Sequence, residues 1–144
     1  MSTGDVNNNL EKLKQELRGI RYQAPTLDQK EALEGKPCFF LPIIHHALLV
    51  FSKHVAKFTS DNGFDLFAKN DYRFMEGVYK LLMMHFNYRP YVNINQFFSA
   101  GFAERKLLFA IDVITLCREK HKELSKRSSS LKPKSVTFEA VPNY

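Results

Sequence analysis

The sequence contains no tryptophan, and its two cysteines stand far apart, without a C-x-x-C or any His/Cys cluster at metal spacing. Reduced thiols at Cys38 and Cys117 in a cytosolic protein are the expectation, with a disulfide as the alternative. His45, His46, His54, His85 and His121 form no H-E-x-x-H, so no metal and no cofactor are expected. Also missing are a glycine-rich phosphate loop, a Gly-x-Ser-x-Gly elbow and an isolated pair of carboxylates, which argues against an enzyme. Long apolar runs are lacking too. The longest, Phe39 to Phe51, holds Pro42, His45 and His46 and is too short to cross a bilayer. The polar start, Met1 to Asn9, does not have the charged-then-apolar order of a signal peptide. The reading is of a soluble, intracellular chain with no membrane partner.

What the sequence does have is aromatic and basic. Thirteen Phe and six Tyr in 144 residues, with 44% apolar residues overall, suffice for one domain with a core held largely by ring packing. A formal charge of +6 points to an acidic partner: nucleic acid, an anionic membrane or the acidic surface of a protein. Charge alone does not choose among them.

Periodicity predicts an all-α domain with four principal helices, at about residues 5–20, 41–58, 71–87 and 103–124, joined by short ones. In the first, Leu10, Leu13, Leu17 and Ile20 recur at helical spacing, and Gly19 is the expected left-handed cap with Ile20 tucked behind it. Asp28 caps a short helix ended by Gly35-Lys36-Pro37. In the second long helix Pro42 falls in the first turn; Ile44, Leu48, Phe51, Val55 and Phe58 form the buried stripe, and His46, Lys53 and Lys57 share another face. The third starts at Asn70 or Asp71. At about 100° per residue, Phe74, Met75, Val78, Tyr79, Leu81, Leu82 and Phe86 fall on one side, with Arg73 and Lys80 opposite. Pro90 ends the segment after it, Asn93 or Asn95 opens a short helix, and Gly101 breaks that helix. The fourth is apolar nearly all round from Leu107 to Cys117, the profile of the central helix of a bundle. Arg105 and Lys106 lie in its first turn, the unfavourable end for cations, which suggests a partner there. Residues 1–124 make the domain, and 125–144 read as a flexible, disordered basic tail. Met83 and Met84 read as core filler; Tyr79, Tyr88 and Tyr91 suit either a half-buried partner site or, for most of them, core packing.

Several motifs also carry a resemblance. Ala68-Lys-Asn-Asp-x-Arg-Phe-x-x-x-Val-Tyr-Lys-Leu-Leu82, Phe86-Asn-Tyr-Arg-Pro90 and Phe97-x-x-x-Gly-Phe-Ala-Glu104, with Phe40-Leu-Pro-Ile-Ile44 and His121-Lys-Glu-Leu124, resemble the signature of the family of centrosomal proteins of forty-four kilodaltons. The resemblance covers roughly residues 5–124. It implies a calponin-homology-like helical domain that binds microtubules at centrioles and supports their assembly, stability and conversion to centrosomes. It also implies a cytoplasmic, cytoskeletal location, and a longer protein continuing past the tail.

The candidate microtubule-binding residues are Lys53, Lys57, Lys69, Arg73, Lys80, Arg89, Arg105 and Lys106, of which the resemblance implies Lys69, Arg73, Lys80 and Lys106 most directly. A basic helical face can meet acidic tubulin through many weak, salt-screened pairs and needs no cofactor. One alternative is an adaptor that grips another centriolar protein without touching tubulin, marked by an exposed apolar groove. Nucleic-acid binding through the basic C-terminal region is not expected, because no reading helix or stacking platform is present and Glu119 and Glu123 interrupt the run.

Overall fold

A computed structural model describes residues 3–23, 27–67 and 69–135. Among these residues seven α-helices follow one another: α1 (Thr3–Gly19), α2 (Gln29–Glu34), α3 (Pro37–His45), α4 (Lys53–Asp61), α5 (Asp71–His85), α6 (Ile94–Phe98) and α7 (Ala103–Ser135). No strand occurs among the described residues. The all-α expectation holds, and α1 and α5 lie where periodicity put them.

The core forms around α7, which packs against α1, α2, α3 and α4. Leu107, Phe109, Ala110, Val113, Ile114 and Cys117 are fully buried on several sides of it, as the all-round apolar pattern predicts. The Phe109 ring meets Tyr79, Tyr88 and Phe97, so α7 also carries the contact with α5 and α6. Burying a side chain such as Leu48 or Phe40, both fully enclosed, contributes about 1.5–3 kcal/mol.

Polar caps set the helix starts. The side chains of Asp28, Asn70 and Asn93 accept from the backbone N–H groups of Glu31, Arg73 and Gln96, each three residues on. Gln96 reaches back to the Asn93 N–H and completes a capping box. At the end of α1 the expected glycine cap is displaced. The left-handed residue is Arg21 (φ 55°), with Tyr22 N–H donating to the Leu17 carbonyl at 3.0 Å. This is a Schellman closure two residues later than predicted. Gly19 is helical, and the Arg118 guanidinium lies over it, only 2.7 Å from where a Cβ would stand. Ile20 is buried as expected.

The predicted helix at 41–58 is corrected by the structure into two helices. Helix α3 begins at Pro37, which places Pro42 in its interior rather than its first turn. Proline supplies no N–H to the preceding turn. After His45 the chain widens into a π-helical segment, His46–Val50, closed by Phe51 N–H donating to the His46 carbonyl at 2.8 Å. Ser52 is then fully extended (φ −139°, ψ 126°), and α4 leaves at 88° to the segment before it. The His46 ring consequently leaves the face of Lys53 and Lys57; it is half-buried, and its Nε2 lies 2.7 Å from the Ile20 carbonyl oxygen.

Ser52 holds this corner. Its buried Oγ accepts from Val55 N–H at 3.2 Å and lies 2.6 Å from Nδ1 of His121 on α7. Ser52→Ala removes both contacts and should lower stability by about 1–2 kcal/mol in urea denaturation. An unchanged midpoint would mean that apolar packing alone sets the bend.

Helix α7 runs past the predicted boundary at Leu124 as far as Ser135, so the first part of the expected tail is helical. The rest of that tail, residues 136–144, lies outside the described residues. No single described helix is long and apolar enough to cross a membrane.

Candidate functional site

On α5 the sequence builds two unlike faces. Phe74, Met75, Val78, Leu81 and Leu82 are buried, while Arg73 and Lys80 are exposed on the opposite side. The segment that follows α4 comes back across this helix. Gly63 (φ 87°) turns the chain out of α4, and Gly77 on α5 has no side chain to hold the returning segment away. A Cβ there would stand 2.7 Å from Leu66 Cδ2. Between the Gly63–Leu66 segment and α5 lies an open groove of about 600 Å³, with Lys69, Arg73 and Lys80 in its lining.

Three of the eight candidate cations are therefore brought together. Among the described residues no carboxylate lies within ion-pair distance of Lys69, Arg73 or Lys80. The groove is mixed in sign, since Asp65 and Glu76 also line it. A smaller recess of about 230 Å³, lined by Leu41, Pro42, His45 and Phe74 among others, shares Leu66 and Lys69 with it. Charged and apolar ground thus adjoin at Lys69.

The remaining candidates lie elsewhere. Lys53 and Lys57 are exposed on α4, where Lys57 is paired with Asp61 at 2.8 Å. Arg89 and Arg105 are exposed, and none of these four lines the groove.

Lys106 is a correction. Its side chain is fully buried, and its Nζ donates to the carbonyl oxygens of Gly35 and Ser99. Gly35 and Ser99 are the C-terminal caps of α2 and α6. The ammonium thus meets the negative ends of two other helices, which compensates for its place in the first turn of its own. Burial pulls its pKa down to about 8 from the ordinary lysine value of 10.5. Its charge is used inside the fold and is not available to a partner.

Some tertiary contacts gave no sequence signal. Arg118 on α7 pairs with Glu16 on α1 at 3.1 Å, a contact between positions 102 apart that no local pattern reveals. The Tyr88 hydroxyl donates to Asp112 at 2.8 Å, and burial together with that carboxylate raises the phenol's pKa. Tyr79 donates to the Val92 carbonyl at 2.7 Å. Tyr79 and Tyr88 serve packing, whereas Tyr91 is exposed. Met83 and Met84, expected in the core, are exposed at 47% and 69%. They sit on the far side of α5 from Leu81 and Leu82, which fill the core positions of that turn. Cys38 and Cys117 are free thiols, and burial raises the Cys117 pKa to about 12.

The chain matches known proteins over most of its length. The profile of a family described as "Centrosomal spindle body, CEP44" matches residues 5–131. The chain is 38% identical over 145 residues to the centrosomal protein of 44 kDa of Rattus norvegicus, covering 99% of this chain and 37% of that protein. It is 39% identical over 125 residues to the protein of the same name from Homo sapiens, and 37% identical over 125 residues to that from Xenopus laevis. Those two matches cover 87% of this chain and 32% of each relative. The chain therefore spans about a third of the length of the curated relatives it matches.

Proposed function

The chain belongs to the CEP44 centrosomal spindle body family, and from that membership we propose that it is a non-enzymatic microtubule-binding domain of a centrosomal protein. In this reading it works in the cytoplasm at the centriole, as part of a longer chain that supports centriole assembly, stability and conversion to a centrosome. The calponin-homology-like character implied by the sequence resemblance belongs to the same proposal. The observation that carries it is the trio Lys69, Arg73 and Lys80, which share one open groove and have no carboxylate at ion-pair distance among the described residues. Lys53, Lys57, Arg89 and Arg105 add long-range attraction from neighbouring surfaces. Exposed cations steer and hold an acidic polymer through many pairs of about 0.2–1 kcal/mol each, screened by salt.

Co-sedimentation with stabilised microtubules over a salt series tests this reading. The wild-type domain should pellet at low salt and be released as salt rises. Arg73→Glu combined with Lys80→Glu should weaken pelleting by about tenfold, equivalent to about 1.4 kcal/mol, with the helical circular dichroism unchanged. Equal pelleting of the variant would remove the groove from the function. An adaptor reading draws support from Met83 and Met84, whose exposure leaves apolar ground beside the end of α5. Failure of the wild-type domain to pellet at any salt would favour it.

A further inference from the structure

We propose that the groove between α5 and the Gly63–Leu66 segment receives one extended, glutamate-rich peptide, and that the acidic tails projecting from tubulin are its occupant. This rests on the microtubule reading and specifies which part of tubulin the groove takes. Three features of the groove lead to it.

The first is spacing. Arg73 and Lys80 are seven positions apart on one helix, a separation of about 10.5 Å along its axis. A chain in the polyproline II conformation has three residues per turn and rises about 3.1 Å per residue, so side chains three apart share one face about 9 Å from each other and meet both cations. Lys69, just before the Asn70 cap, continues the row toward the N-terminal end of α5, where free backbone donors favour negative charge.

The second is the mixture of signs. Asp65 and Glu76 stand among the cations and would repel a dense polyanion such as a polyphosphate. A peptide suits both signs, because its carboxylates go to Lys69, Arg73 and Lys80 while its backbone N–H groups can donate to Asp65 and Glu76. Peptides that occupy grooves commonly combine main-chain hydrogen bonds with side-chain selection.

The third is shape. The groove has a wall on each side, α5 on one and the Gly63–Leu66 segment on the other, and the Gly77 to Leu66 contact fixes their separation. An open groove walled along two sides admits a single chain along its length.

The test uses residues 1–144 labelled with ¹⁵N, titrated with a synthetic dodecapeptide of glutamate and glycine, with a glutamine–glycine peptide of equal length as control. The expected result is amide shifts confined to residues 63–66 and 69–80, no shifts with the control, and at least about tenfold weaker binding by Arg73→Glu/Lys80→Glu. Lys80→Gln, which adds no repulsion, should weaken binding by a smaller factor. Microtubules stripped of their acidic tails should pellet the wild-type domain less well than intact ones. Absence of shifts, shifts spread equally over Lys53, Arg89 and Arg105, or tighter binding of inositol hexaphosphate than of the peptide in this groove would each overturn the proposal. If the peptide fails while intact and stripped microtubules pellet the domain alike, the groove assignment falls and the microtubule reading stands. If the peptide binds but microtubules do not pellet the domain, the microtubule reading falls, and tubulin as the occupant falls with it.

Discussion

Gly35→Ala should destabilise the domain by about 3–5 kcal/mol, enough to leave it largely unfolded if its total stability is near the low end of about 5–15 kcal/mol. Two causes add. Gly35 has φ 70°, a conformation in which a Cβ is strained. That Cβ would also stand 2.0 Å from the Gly101 carbonyl oxygen and 2.6 Å from its carbon, atoms of a backbone that cannot swing aside. The approach is fixed by Gly101 N–H donating to the Glu34 carbonyl at 2.8 Å, so the end of α2 and the entry to α7 are joined directly. Gly101 provides the control. Its φ is 91°, yet a Cβ added there would find nothing within 4 Å, so Gly101→Ala meets only the backbone strain, about 1 kcal/mol. Equal losses in chemical denaturation would show that the close contact contributes nothing.

Lys106→Met should cost about 1–3 kcal/mol at pH 7, and the cost should grow as pH rises. Methionine keeps most of the stem and its packing but leaves the Gly35 and Ser99 carbonyls without their donor. Against this loss stands the removal of a buried cation. The pH dependence separates the two. The Lys106 amine has a folded pKa of about 8, against 10.5 for a lysine in water. Between those values the unfolded chain holds a proton that the folded chain has released, so rising pH favours the folded state. The contribution of Lys106 is therefore complete above pH 10.5 and falls as pH drops to about 8, below which it is level. Melts of wild type and variant in parallel across this range cancel the tyrosine titrations common to both. A stability gap that stays constant from pH 7 to 10.5 would show that the amine titrates as it does in water.

Much of the fold could be read from local chemistry. Asp28, Asn70 and Asn93 each announce a helix start, since their side chains bond to donors only three residues away. The two faces of α5, and with them Arg73 and Lys80, follow from the period of a single helix. The corner at Ser52 did not emerge, because apolar spacing continues from Ile44 through Leu48 to Val55 as though the helix were unbroken. At the break Ser52 bonds to His121, a residue 69 positions away, a contact that no local pattern reveals. Lys106 did give a signal, a cation at the wrong helix end. Its resolution lay in carbonyls supplied by α2 and α6, which no reading of α7 alone could locate. The groove shows the same division: its cations were legible on α5, and its opposite wall was not, because the Gly77 to Leu66 contact is tertiary.

The packing of α1 against α7 has a consequence for how the chain is made. Of the described helices of this domain, the first to be synthesised finds its main partner only in the last of them, and the Glu16 to Arg118 pair spans almost the whole domain. Until residues near 118 have emerged, Leu10, Leu13 and Leu17 have no α7 surface to cover them. Folding of this domain therefore waits for the end of its own synthesis, and its closing step joins distant segments, which slows it relative to a bundle built from neighbours. The nascent chain carries an uncovered leucine stripe during that interval, the kind of transiently exposed apolar surface that favours aggregation.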